Sequence, residues 1–214
     1  MHHQSKRHAR LRRMIRELNR ERKIQAKKVD ILCHDLVDAQ RSFISRLETL
    51  RFAGAFYRSL LGVSDLTQIL RTASEQIGGE LPQVSVSFFL QGSEGCKEVP
   101  YEAQATQSSR LEALLEESVC RDICSANRIN SLENLLALGL QVNAGVTGKY
   151  CLATIPLSCG CRPLGFIFLH QEGPDSLQAE NLQHVYAVCP GFSEAIAATG
   201  RFSRFKQLSS NKGP

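Results

Sequence analysis

Apolar residues recur at alternating four- and three-residue steps along the first part of the chain. The positions are Leu11, Ile15, Leu18, Arg22, Gln25, Val29, Leu32, Leu36, Ala39, Phe43, Arg46, Leu50, Ala53, Tyr57 and Leu60, and twelve of these fifteen are apolar. Residues 5 to 61 contain no proline and one glycine, Gly54. A stripe of this kind on a helix with no other core must meet a partner. The spacing therefore predicts a long coiled-coil or bundle helix over residues 1 to 62. Its expected dimer seam is Leu18, Val29, Leu32, Leu36, Phe43 and Leu50. Arg22, Gln25 and Arg46 interrupt the stripe and would fix register or oligomer number. Flanking charges do not choose between parallel and antiparallel pairing, since Glu21 would face Ala26 and Lys28 would face Cys33.

Residues 62 to 65 break this helix, and Ser64 or Asp65 can cap the next one. Leu66, Ile69, Leu70, Ala73 and Ile77 share a face there, and Gly78 and Gly79 are expected to end it. VSVSFFL then alternates, with Val84, Val86, Phe88 and Leu90 on one side and Ser85, Ser87 and Phe89 on the other. GSEG is a turn. A second strand is expected over 96 to 103, where Pro100 suits an edge. A helix over 108 to 119, a short strand near Ile129 and a helix over 132 to 138 follow. Residues 151 to 157 and 164 to 170 read as strands joined by SCGCRP, as in a hairpin. Asp175 or Ser176 would begin a last helix, with Leu182, Val185, Cys189, Phe192 and Ile196 as its buried stripe. Pro190 should kink or restart it. This order predicts an α+β domain over 63 to 200, an antiparallel sheet flanked by helices, and a tail over 201 to 214.

The 214 residues are 43% hydrophobic, enough for a packed core. No apolar run approaches the ~20 residues needed to cross a bilayer, and the basic N-terminus leads into no secretory signal. Eight cysteines scattered through such a chain read as reduced thiols in a cytoplasmic protein. The net charge of +5 is concentrated at one end. Residues 1 to 30 carry eleven Lys/Arg against three acids, a local +8, and the other 184 residues are net −3. Arg7, Arg10, Arg13, Lys23, Lys27 and Lys28 could bind nucleic-acid or acidic-membrane phosphates without reading sequence. No aromatic residue stands among them to stack on bases. The plainer alternative is a solvated charged face.

DLTQILRTASEQI followed by VSVSFFL resembles the opening helix and first strand of a GAF domain. LATIPLSCGCRPLGFIFLHQEGPDSLQAENLQHVYAVCPGFSEAIA resembles its last hairpin and closing helix. Pro156-Leu157, Leu164-Gly165, Pro174, Leu182 and Ala195-Ile196 fit the family's pattern over residues 64 to 199, poorly between 104 and 148. The resemblance implies a sensory domain coupled to a dimerising helix in a non-catalytic signal-transduction protein. That protein would be a homodimer acting on a separate partner, such as a kinase, cyclase or response regulator. It also implies a small-molecule pocket, with Ser85, Ser87, Tyr101, Arg128, Asn130 and Tyr150 facing it, or else a pocket filled by side chains. No bilin-type Cys-His pair and no NKFDE-like run is present, so no cofactor is named.

Two further constellations carry chemistry. Cys120 and Cys124 (CxxxC) with Cys159 and Cys161 (CxC) would supply four zinc ligands if they met, though neither is a CxxC knuckle. Arg162 beside the hairpin cysteines would favour a redox thiol. The bland alternative makes Cys159 and Cys161 turn residues and has Cys120 and Cys124 straddle a helix end. A GAF-like enzyme, the free methionine sulfoxide reductase, works through cysteines in a Gly-Val-Cys-Gly context. The matching segment here, SVCRDIC, lacks those glycines. CHDLVDAQRSF resembles the His box of histidine kinases, with His34 as phosphoacceptor and Asp35 beside it; an ordinary solvent-facing His is the alternative.

Overall fold

The computed structural model describes residues 2–92, 95–101, 115–141, 149–173 and 177–199, with side chains from residue 10 onward. The proline-free segment forms helix α1, His2–Leu60. The chain divides into two compact units, Met1–Leu47 and Glu48–Pro214. The last turns of α1 thus belong to the second unit, although the sequence placed the boundary at residue 62. The reason is a face off the predicted stripe: Phe52 and Phe56, four residues apart, are buried in the second unit's core. Ala53 and Leu60, counted in the stripe, pack partly against that same core.

Helix α2, Leu66–Glu80, is capped by Asp65, whose carboxylate accepts from the Gln68 N–H at 3.3 Å. It runs through Gly78 and Gly79, where an end was expected, because Ile77 and Leu81 on either side of the pair are buried. Leu81 N–H then donates to Ile77 O at 2.8 Å to close the helix.

Strands β1, Ser85–Gly92; β2, Gly95–Glu98; β3, Asn130–Ser131; β4, Tyr150–Cys159; and β5, Arg162–Glu172, form an antiparallel sheet. Their order is β2-β1-β5-β4-β3. β2 is shorter than predicted. Val99 N–H still reaches Phe88 O at 2.9 Å, but Pro100 lacks the donor needed to continue the ladder. The β4–β5 hairpin is longer than predicted and turns on Gly160-Cys161, with Gly160 at φ 59°. Gly165 is required where β5 meets β1: at φ 150°, an added Cβ would lie 1.9 Å from Phe89 O.

Helix α3, Glu117–Ala126, follows an extended Glu116 and runs past 119; residues 102 to 114, which hold most of the helix expected over 108 to 119, lie outside the described residues. Helix α4, Leu132–Ala137, follows β3 directly. Helix α5, Ala179–Ala198, is capped at Gln178 and remains one helix through Pro190, not two. Pro190 is exposed, whereas Val188, Cys189 and Phe192 around it are held in the core.

Alternation along the strands divides the core. Val86, Phe88, Ile155, Ile167 and Leu169 face α2, α5 and the end of α1. Phe89, Leu152, Phe166 and Phe168 face α3 and α4. Among the described residues no helix is long and apolar enough to cross a membrane.

Candidate functional site

The α3/α4 face carries the concentration of chemistry. Its residues follow from strand register. Ser87 lies opposite Phe168, Phe168 opposite Thr154, and Thr154 opposite Asn130. Three buried polar side chains, Ser87, Thr154 and Asn130, therefore share one cross-strand row in an otherwise apolar layer. His170, also buried, sits one pair along, opposite Ser85 and Leu152. Asn130 Nδ2 donates to Arg128 O at 3.2 Å and Thr154 Oγ1 at 3.3 Å. Asn130 Oδ1 is buried with no hydrogen-bond partner, an arrangement that normally costs stability. Thr154 and His170 were not singled out in the sequence; strand alternation alone could have found them.

The pocket candidates do not all assemble. Ser87, Asn130 and Tyr150 lie on this face, and Tyr150 Oη donates to Glu172 Oε1 at 2.9 Å. Ser85 and Arg128 are exposed. Tyr101 lies on the opposite face, edge-on to Phe88 with centroids 5.4 Å apart. Its hydroxyl accepts from Ser74 Oγ at 2.9 Å and donates to Val86 O. The chain carries it there because β2 has ended before Pro100.

The four predicted zinc ligands do not meet. Cys120 and Cys124 are buried one turn apart on α3, within the helix and not straddling its end. Cys159 packs on the far face of the sheet, and Cys161 is exposed at the hairpin tip. Arg162 pairs with Cys159 in register. Among the described residues, no three or more His, Cys, Asp or Glu are arranged to hold a metal ion.

A different thiol joins Cys120 and Cys124, namely Cys96 of β2. All three line a cavity of about 210 Å³, together with Gln91, Gly95, Glu117 and Arg121. The proximity of Cys120 and Cys124, with burial, pushes the Cys96 thiol far above the ordinary range. The same interactions hold Cys120 and Cys124 below the ordinary thiol value, against the opposing effect of burial. One proton is thus held on Cys96, and one of the other two sulfurs is readier to ionise. Glu117, whose carboxylate opposes ionisation of Cys120, pairs with Arg121 at 3.3 Å.

On α1, the seam candidates are exposed, from 56% for Val29 to 69% for Leu36. Ile24, Ile31 and Ile44, off the stripe, are exposed as well. His34 is exposed, and its Nδ1 lies 2.9 Å from Asp30 O. The tautomer that donates this bond keeps its proton on Nδ1 and leaves Nε2 as the free base. Arg10, Arg13, Lys23, Lys27 and Lys28 are exposed, while the side chain of Arg7 lies outside those described.

No protein-family model matches the chain, and no curated protein matches it significantly. Solved structures do. The GAF domain of a phosphoenolpyruvate-protein phosphotransferase from Acinetobacter is 16% identical at a TM-score of 0.52, covering 71% of this chain and 92% of that one. The corresponding domain from Coxiella burnetii is 15% identical at 0.52, covering 76% and 98%. This protein has the GAF fold. fRMsr of Staphylococcus aureus, solved with its substrate, shares that fold at 12% identity and a TM-score of 0.50, covering 71% and 95%. The GAF likeness is one of architecture, five antiparallel strands with helices on both faces, and does not by itself assign chemistry to this chain.

Proposed function

We propose that the chain is a non-catalytic regulatory protein in which a GAF-like sensor domain is coupled to a dimerising helix and acts on a separate partner protein. The observation that carries this reading is on α1. Its predicted seam leaves six large apolar side chains exposed at coiled-coil spacing, while the same helix ends in the domain core through Phe52 and Phe56. The 4-3 spacing fits a second copy of the same helix, since each knob then finds an identical hole. The stimulus side rests on the buried polar row of Ser87, Thr154 and Asn130 and on the thiol cluster, which lie on the sheet face opposite Phe52 and Phe56. Signal transfer consists of a change in packing of Phe52 and Phe56 when that domain changes state.

Sedimentation or light scattering of the full chain tests the reading. A dimer is expected, and Leu32→Glu with Leu36→Glu should convert it to a monomer whose circular dichroism retains the sheet signal. A monomeric parent chain at micromolar concentration would overturn it.

A further inference from the structure

Cys96, Cys120 and Cys124 come from two elements, the edge strand β2 and helix α3, and line one cavity. We propose that this cluster is a thiol oxidation site, in which a hydroperoxide oxidises Cys124 and Cys96 resolves it as an intramolecular Cys96–Cys124 disulfide. The chemistry holds independently of the sensor reading.

The geometry separates the three roles. Cys120 and Cys124 line the same cavity as Cys96, so either could be bridged to the strand. Cys120 is the poorer nucleophile. The Glu117 carboxylate one turn away disfavours its thiolate, and its sulfur also lies 3.9 Å from Leu115 O. It is 2% exposed, against 9% for Cys124. Cys96 favours the Cys124 thiolate in the same way, opposed by burial and by Cys120 and not by a carboxylate. Thiolate character with access from a cavity is what directs oxidation to one cysteine among many.

The step balances as follows. The Cys124 thiolate attacks one peroxide oxygen, an S–O bond forms and the O–O bond breaks. The departing alkoxide or hydroxide takes a proton from water. Cys96 sulfur then attacks the Cys124 sulfenic sulfur; the S–S bond forms, the S–O bond breaks, and the hydroxyl leaves as water with the Cys96 proton. Two thiols have lost two electrons, and the hydroperoxide has become an alcohol (or water) plus water. The product ties the edge strand to α3 across the cavity, and a dithiol reverses it.

The full chain is treated with one equivalent of hydrogen peroxide, alkylated, and mapped by mass spectrometry without reduction. Two of the eight thiols should be lost per chain, recovered as a linked pair of peptides containing Cys96 and Cys124 and restored by dithiothreitol. The same bond should form after Cys33→Ser and Cys161→Ser, which remove the exposed thiols. With Cys96→Ser, Cys124 should stop at sulfenic acid and be captured by dimedone. Full alkylation of Cys96 and Cys124 while Cys33 or Cys161 is oxidised would sink the proposal, as would a Cys96–Cys120 bond. The unmutated chain decides the matter even if the Cys96 variant fails to fold.

Discussion

His184 Nδ1 stands 2.6 Å from Glu80 Oε1, and the same imidazole lies against the Phe52 ring, with centroids 6.4 Å and planes 28° apart. One side chain of α5 thereby fastens both α2 and the last turns of α1. Among the described residues His184 Nε2 is buried without a hydrogen-bond partner, so the Glu80 contact is the ring's polar tie. Removing it leaves the Glu80 carboxylate without its partner in a half-buried site. We expect His184→Ala to destabilise the domain by about 1–3 kcal/mol, the range for an orphaned buried polar group. Glu80→Gln, which can still hydrogen-bond, should cost less. Urea unfolding at pH 7 measures both. A His184→Ala midpoint equal to that of the exposed control Gln183→Ala would contradict the fastening role.

Two glycines give a graded test of backbone constraint. The Cβ of Gly165→Ala would meet a carbonyl oxygen of the central strand pair at 1.9 Å, at a φ that side chains rarely adopt. Nothing flexible can yield there. The loss should exceed about 4 kcal/mol, enough to prevent folding. At Gly191 a Cβ would lie 2.7 Å from the Tyr57 ring, a side chain at the end of α1 whose hydroxyl donates to Val188 O at 3.2 Å. That ring can move, so Gly191→Ala should fold with a loss of roughly 1–3 kcal/mol. Soluble yield and thermal melting distinguish the two. Equal behaviour would mean the sheet tolerates more than its register implies.

Much of the domain was legible because its signals are local. VSVSFFL alternates, the SCGCRP connection turns between two apolar runs, and both were found nearly at their ends. What failed was non-local. Phe52 and Phe56 sit off the coiled-coil stripe, and nothing within α1 says which face a domain elsewhere in the chain will cover. Tyr101 is grouped with Ser85 and Ser87 by the family resemblance alone, and it lies on the other face, beyond the end of β2. Cys96 was missed because its partners are 24 and 28 residues away, across a segment with no clear pattern. Conversely, CxxxC and CxC would supply four zinc ligands only if they met, and the sheet separates them. Of the two outcomes expected at Pro190, a kink or a restart, the restart does not occur: one helix continues, with Val188 and Phe192 buried on either side.

The thiol cluster makes a prediction about pH. Because Cys96 holds the Cys124 thiol below the ordinary thiol value, its thiolate persists on the acid side of that value. Alkylation of Cys124 by iodoacetamide, followed by mass spectrometry, should therefore reach half its limiting rate at a lower pH than a cysteine in an unstructured peptide. Cys96→Ala removes the donor and leaves burial to act alone, so the midpoint should move to higher pH. Cys96→Ser keeps a hydroxyl donor and should move it less. An unchanged midpoint in Cys96→Ala would show that Cys96 does not set the reactivity.

Phe43 and Phe52 lie on one helix but should answer to different assays. Phe43 is exposed and belongs to the proposed seam; Phe52 is buried in the domain core. Truncating a buried phenylalanine typically costs about 3–5 kcal/mol of folding stability. Phe52→Ala should accordingly lower the urea midpoint at every protein concentration, with little direct effect on self-association of the chains that remain folded. Phe43→Ala removes a knob from each of two helices. It should weaken the dimer by about 2–4 kcal/mol, some 30- to 1000-fold in dissociation constant, if the side chain is a hot spot. The domain's melting midpoint at dilution should then stay within about 0.5 kcal/mol of the parent, as for other surface changes. Sedimentation equilibrium and urea titration on the two variants give four numbers whose pattern is fixed in advance. If neither Phe43→Ala nor the other seam changes affect association, the helices meet through another exposed face, such as that of Ile24, Ile31 and Ile44.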